Sequence, residues 1–60
     1  MDFEVEYRDN NKELRWEFAT REEAEAKFEE LRKAHTFELC LNNLRVGDTE
    51  KWISVEVKTS

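Results

Sequence analysis

The sequence predicts a two-layer α+β domain in the order ββαββ, with one helix packed on a four-stranded, mainly antiparallel sheet. Two runs of alternating apolar and polar residues come first, a segment with helical periodicity follows, and alternation then returns. With 60 residues, of which 38% are apolar, the chain can build one thin core. Residues 1–60 are therefore expected to form a single small domain.

The first two strands are predicted over residues 3–7 and 14–18, where apolar and polar residues alternate strictly. Residues 8–12 between them contain one Asp and two Asn, which form turns by bonding back to nearby backbone. The pattern therefore predicts an antiparallel hairpin.

The helix is predicted over residues 21–34. Thr20 can cap its N-terminus, and Glu23, three residues later, can complete a capping box. Acidic residues occupy the first turn and basic residues the last, which suits the helix dipole. Two ion pairs at i,i+4 spacing are expected along it: Glu23–Lys27 and Glu29–Lys33.

Two further strands are predicted over residues 36–41 and 52–57, where alternation returns. Residues 44–46 between them are flanked by turn formers, and they either extend the third strand past a bulge or form a short strand of their own. The sequence leaves this choice and the order of the strands open. The predicted core comprises Phe3, Val5, Leu14, Trp16, Phe18, Phe28, Leu31, Leu39 and Val55.

The chain is acidic, with 15 acidic and 10 basic side chains and a net charge of −5. A phosphate backbone and an anionic membrane both require clustered Lys and Arg, so neither is expected as a direct partner. The single cysteine favours a reducing compartment. No segment approaches the ~20 apolar residues of a membrane span, and the first residues are acidic where a signal peptide is basic. These features favour a cytoplasmic location.

Catalytic and metal-binding residues are few. His35 and Cys40 are the only imidazole and the only thiol, and a Cys–His pair is the smallest activated nucleophile. No residue stands out to orient such a pair, and one His with one Cys is too few for a metal site. A single glycine cannot build a phosphate-binding loop. We therefore expect no enzymatic activity, no catalytic residue, no metal and no cofactor.

The outer face of the predicted sheet, opposite the helix, carries most of the negative charge. Alternate residues of a strand lie about 6.6 Å apart and neighbouring strands about 4.8 Å, so acids on several adjacent strands can approach the charge density of duplex DNA, although Arg15 dilutes it here. The alternative is that these acids only keep a small protein soluble and prevent pairing of sheet edges. Seven acids and three bases give the face −4 of the net charge of −5: Asp2, Glu4, Glu6, Glu13, Glu17, Glu38 and Glu56, with Arg8, Arg15 and Lys58.

The acidic face predicts a binding module for the basic surface of a protein partner. Its most specific form is a small inhibitor, of the type that phages and other mobile elements encode, which mimics nucleic-acid charge and blocks a nucleic-acid-binding host protein. Trp52 precedes Ile53 in the last run, so its ring is expected on the outer face or at the rim of the sheet, where it could anchor an interface. The alternatives are that Trp52 folds over an edge of the sheet or that a bulge turns it inward. The predicted binding residues are Glu4, Glu6, Glu13, Arg15, Glu17, Glu38, Trp52 and Glu56.

Two alternatives stay open. The first is a structural or assembly subunit that binds through Trp52 and apolar edges. The second is a weak nucleic-acid-binding domain, whose candidate residues are Arg21, Lys27, Arg32, Lys33 and Arg45. A homodimer is a further hypothesis, because association through Trp52, Leu44 and Val46 would add buried apolar area to a small core.

Overall fold

A computed structural model of the chain describes residues 1–33 and 37–54. The elements in chain order are β1 (Phe3–Arg8), β2 (Glu13–Phe18), α1 (Arg21–Arg32), β3 (Glu38–Asn43) and β4 (Asp48–Ser54). The four strands form one sheet in the order β2-β1-β3-β4, and each neighbouring pair is antiparallel. The predicted ββαββ class, with one helix on a four-stranded antiparallel sheet, is confirmed.

The hairpin between β1 and β2 is closed by Asp9. Its Oδ1 accepts hydrogen bonds from the backbone N–H groups of Asn11 (2.8 Å) and Lys12 (2.9 Å). Its Oδ2 accepts a hydrogen bond from the Tyr7 hydroxyl at 2.8 Å. These contacts explain why an Asp in the turn fixes the register, in which Val5 lies opposite Trp16.

The helix is capped by Thr20 as predicted, but the Glu23 carboxylate bonds to the Thr20 hydroxyl and not to the Thr20 backbone N–H that a capping box uses. Thr20 is extended, its Oγ1 accepts a hydrogen bond from the Glu23 backbone N–H at 3.3 Å, and its hydroxyl donates to the Glu23 carboxylate at 3.0 Å. Lys33 caps the C-terminus, and the predicted last residue, Ala34, lies outside the described residues.

The helix ion pairs have a different spacing from the one predicted. Lys27 pairs with Glu30 at 2.7 Å rather than with Glu23, whose carboxylate is held by Thr20. Glu29 pairs with Arg32 at 3.4 Å rather than with Lys33. Both observed pairs are i,i+3 neighbours, which face each other on a helix as i,i+4 neighbours do.

The second half of the sheet differs from the prediction. Residues 44–47 form a turn, so they neither extend β3 nor make a strand of their own. Gly47 has φ of 74° there, and its N–H bonds to the Asn43 carbonyl at 2.9 Å. β4 begins at Asp48 instead of Trp52, and the bulge lies within it, because Glu50 has no residue opposite it in β3. The predicted strand residues after Ser54 lie outside the described residues.

The core lies between α1 and the two central strands, β1 and β3, while β2 is packed less closely against the helix. Of the predicted core, Trp16, Phe18 and Leu31 are only partly buried. Leu14 is 38% exposed and so not a core residue, because β2 is an edge strand that the helix covers incompletely. Val55 lies outside the described residues. The observed core comprises Phe3, Val5, Tyr7, Ala24, Phe28, Leu39 and Leu41.

In residues 1–33 and 37–54, no helix combines the length and the apolar character that crossing a bilayer requires.

Candidate protein-binding face

The outer face of the sheet is organised in three rows that cross the strands. Residues paired directly across antiparallel strands point to the same side, so each row is a set of neighbours. In the order β2, β1, β3, β4, the rows are Glu13–Arg8–Glu38–Ser54, Arg15–Glu6–Cys40–Trp52 and Glu17–Glu4–Asn42–Thr49. The structure thus brings seven of the eight predicted site residues onto one face. The eighth, Glu56, lies outside the described residues.

Two carboxylates at the centre of this face are held by a shared set of donors. The Asn42 Nδ2 donates to Glu4 Oε1 at 3.1 Å and to Glu6 Oε1 at 2.9 Å. The Arg15 guanidinium lies 3.3 Å from Glu4 Oε2 and 4.0 Å from Glu6 Oε2. The Thr49 hydroxyl donates to Asn42 Oδ1 at 2.7 Å, which fixes the orientation of the amide. We call Glu4, Glu6, Arg15, Asn42 and Thr49 the carboxylate network.

The expectation that every acid of the outer face lies in solvent is wrong for Glu4. It is only 8% exposed, because β1 is a central strand and long side chains from β2 and β3 extend over it. A buried carboxylate requires hydrogen-bonding partners, and Arg15 and Asn42 supply them. Sequence alternation identified Glu4 and Glu6 but missed Asn42 and Thr49, although extending the predicted third strand by one residue would have found Asn42.

The proximity of the two central carboxylates affects their titration. The hydrogen bond with Glu4 raises the pKa of Glu6 above its ordinary value, and burial and the charge of Glu4 act in the same direction. Arg15 and Asn42 oppose this shift. A carboxyl group with a raised pKa holds its proton more tightly in the folded state. The contribution of Glu6 to stability is therefore present at low pH and is lost as the pH rises through its folded-state pKa.

The basic side chains of the outer face form ion pairs with acidic side chains of the same face. Arg8 pairs with Glu13 at 2.8 Å, and Arg15 lies between Glu4 and Glu6. Glu17 is exposed and forms no ion pair with another residue of the described ranges. Within the described strands, five acids and two bases leave the face with a net charge of −3. The face is acidic, although less so than a count of acids alone indicates.

Trp52 lies on the outer face, as its position in the last run predicts. It is opposite Cys40 in the edge strand β4, and it is 62% exposed. Val46, at 66% exposure, and Leu44 lie in the turn that precedes β4. Because Trp52 is four residues beyond the start of β4, about 13 Å of strand separates it from that turn. Trp52 is therefore an apolar site at the edge of the acidic face, separate from the other two side chains.

Cys40 does not have the properties of an activated nucleophile. Burial, followed by the charges of Glu38 and Glu6, raises its pKa to about 11. The thiol is therefore protonated at neutral pH, and its Sγ lies 3.9 Å from Glu38 Oε1. His35 lies outside the described residues. Within residues 1–33 and 37–54, no three His, Cys, Asp or Glu residues are grouped so that they could hold a metal ion.

The bulge in β4 places Glu50 on the helix side of the sheet. The Arg21 guanidinium donates two hydrogen bonds to its carboxylate, at 2.9 and 2.7 Å, and the Asn43 amide donates a third at 2.9 Å. These contacts lower the pKa of Glu50 to about 2, and the hydrogen bonds from Arg21 contribute most to the shift. The following residue, Lys51, lies 5.7 Å from the centre of the Phe28 ring. Glu50 thus ties the N-terminus of α1 to the edge of the sheet, a role that strict alternation could not have revealed.

Comparison of the chain with models of protein families, with curated proteins and with solved structures finds no match.

Proposed function

We propose that this chain is a non-enzymatic, acidic protein-binding module whose outer face binds the basic surface of a partner protein. In its most specific form, it is a small inhibitor of the kind that phages and other mobile elements encode. It occupies the nucleic-acid-binding surface of a host protein by mimicking nucleic-acid charge. The observation that carries this proposal is the carboxylate network, in which Asn42 and Arg15 hold Glu4 and Glu6 in fixed positions.

Fixed carboxylates favour binding because little side-chain freedom remains to be lost on association. Glu4 and Glu6 are alternate residues of one strand, and Glu17 and Glu4 face each other across neighbouring strands. The corresponding spacings are about 6.6 Å and about 4.8 Å, whereas one strand of a duplex carries one charge per about 3.4 Å of its axis. A basic surface that binds phosphates can meet the exposed Glu17 and the half-buried Glu6 together, whereas Glu4 is largely buried and is not itself available to a partner.

Trp52 supplies an apolar contact at the margin of this charged face. Tryptophan is among the side chains that most often contribute large parts of a binding free energy, and the ring of Trp52 is largely exposed. The acids would accelerate association through long-range attraction, and the indole would slow dissociation.

Direct nucleic-acid binding is less well supported, because most of the candidate bases are already paired. Arg21 pairs with Glu50, Lys27 with Glu30, Arg32 with Glu29, and Arg45 lies 4.0 Å from Asp2. A phosphate backbone would have to compete with these carboxylates for each cation.

A second candidate is a structural or assembly subunit that binds a protein partner through Trp52 and apolar edges. The exposure of this side chain favours it. It differs from the first candidate in that binding depends little on salt and is unaffected by changes to the acids.

Capture of partners by variants of the whole chain tests the proposal. The outer-face variant carries Glu13→Gln, Glu17→Gln and Glu38→Gln, which remove three charges from exposed or half-buried positions and keep the side-chain shape. The matched control carries Glu22→Gln, Glu25→Gln and Glu29→Gln on the helix, and a third variant carries Trp52→Ala. Captured proteins are identified by mass spectrometry and then challenged with duplex DNA or RNA.

We expect the wild type and the helix control to capture the same nucleic-acid-binding protein and to release it to nucleic acid. Three lost charge pairs of about 0.5 kcal/mol each predict affinity roughly tenfold weaker for the outer-face variant. Equal capture by the outer-face variant, with loss only in Trp52→Ala, would instead support the assembly subunit.

A further inference from the structure

The edge strand β2 carries large apolar side chains that the rest of the domain covers incompletely. No described strand pairs with β2 on the side away from β1. On its inner face, Leu14 is exposed, and Trp16 and Phe18 are only partly buried. Phe18 also lines an open groove between β2 and the helix, beside Ala26 and Lys27. A row of three large apolar side chains therefore lies incompletely covered along a strand with a free edge.

The orientation of the peptide groups along this edge follows from two hydrogen bonds at the ends of β1. The Leu44 N–H bonds to the Asp2 carbonyl at 2.8 Å, so even-numbered residues of β1 exchange hydrogen bonds with β3. The Asp9 N–H bonds to the Lys12 carbonyl at 2.9 Å, so odd-numbered residues of β1 bond to β2. The residues of β2 whose N–H and C=O groups point outward are therefore Glu13, Arg15 and Glu17.

A second copy of the chain fits this edge in one register. In an antiparallel pair of β2 strands centred on Trp16, Arg15 lies opposite Glu17 of the partner subunit, and Leu14 lies opposite Phe18 of the partner subunit. Both copies of each contact form, because the pairing is two-fold symmetric. Outward peptide groups of Arg15 and Glu17 then face those of the partner subunit.

The two neighbouring symmetric registers are disfavoured by their charges. Centring the pair on Arg15 would place the two Arg15 side chains opposite each other and would place Glu13 opposite Glu17 of the partner subunit. Centring it on Glu17 would place the two Glu17 side chains opposite each other. Directly opposed like charges destabilise a strand pair, whereas opposite charges and aromatic pairs stabilise it. Charge complementarity therefore selects the register centred on Trp16.

The other edge of the sheet is protected against such pairing. β4 contains the bulge at Glu50, and it carries Asp48 and Lys51 as well. Bulges and charged side chains are common means by which proteins prevent edge strands from pairing.

We propose that two copies of this chain associate through antiparallel pairing of their β2 strands, centred on Trp16. The association joins the two four-stranded sheets into one continuous sheet and covers the apolar row of each copy with that of the other. It differs from a dimer through Trp52, Leu44 and Val46, which lie away from β2. It does not depend on the proposed partner, because only residues of this chain form it.

Sedimentation equilibrium of the full chain, from low micromolar to near-millimolar concentration, tests the association. The wild type is expected to approach twice the 7.3 kDa of one chain. In Glu17→Arg, two attractive pairs become two Arg–Arg repulsions, so we expect the dissociation constant to rise roughly tenfold or more. The matched control Glu22→Arg makes the same change in net charge on the helix, and it should dimerise as the wild type does.

The register is tested by nuclear Overhauser effects in a mixture of labelled and unlabelled chains. Leu14 and Phe18 lie about 13 Å apart along one strand, so a contact between their side chains has to arise between subunits. A wild type that is monomeric throughout the concentration range overturns the proposal. So does a dimer that Glu17→Arg and Glu22→Arg weaken equally, or one without the Leu14–Phe18 contact. Circular dichroism of each variant verifies that it is folded.

Discussion

Replacing Asn42 with alanine tests whether the carboxylate network stabilises the fold. The substitution removes the donor that serves both Glu4 and Glu6, and it leaves the Thr49 hydroxyl without its acceptor. A hydrogen bond to a charged group contributes about 1.5–3 kcal/mol. Since Glu6 remains partly in contact with water, we take the lower end for each carboxylate and expect a total loss of about 3 kcal/mol.

That loss is large for a domain of this size, which is stable by about 3–9 kcal/mol. Urea unfolding followed by tryptophan fluorescence measures this loss of stability. The urea concentration at the midpoint of unfolding should fall, and the dependence of the unfolding free energy on urea concentration should stay unchanged. The matched control is Asn11→Ala in the hairpin loop, where the structure uses the backbone N–H rather than the side chain, so the change should stay within about 0.5 kcal/mol. A loss below about 1 kcal/mol in Asn42→Ala, similar to that of the control, would refute a stabilising role for the network.

Three further predictions concern other parts of the molecule. Phe28→Ala, in the centre of the core, should lower the free energy of unfolding by about 3–5 kcal/mol in urea titrations, and an effect below about 1 kcal/mol would contradict the described packing. Arg21→Ala should destabilise the chain at neutral pH, and its difference from wild type should shrink as the pH falls from 4.5 towards about 2, because the lowered pKa of Glu50 contributes stability only while Glu50 is ionised. A difference in unfolding free energy that is constant with pH would argue against this pair. Cys40 should react with iodoacetamide much more slowly than a free thiol at pH 8, because its pKa is raised to about 11, and a reaction at the rate of glutathione would contradict that.

The alternation of residues was sufficient to predict the fold class and the hairpin of β1 and β2. Phe3 and Val5 are buried because a period of two places them on the face that the helix covers. The exposure of Leu14 could not be predicted in the same way. It depends on β2 lying at an edge, and the order of strands is set by contacts between distant parts of the chain.

The start of β4 was missed because Asp48 to Lys51 contains no apolar residue that could mark an inner face. The bulge then reverses the alternation, so that Glu50 and Lys51 both lie on the helix side. The candidate face was predicted more accurately than β4, because every predicted site residue within the described strands lies on it. What the sequence did not reveal is that Asn42 and Arg15 hold two of its acids in place.

The most direct measurement of the proposed function is the affinity of the chain for its captured partner, at increasing salt and with duplex nucleic acid as competitor. Binding of the acidic outer face to a phosphate-binding surface predicts that affinity falls as salt rises, and that chain and nucleic acid exclude each other. An affinity that is independent of salt, together with a complex that holds chain, partner and nucleic acid simultaneously, would contradict it.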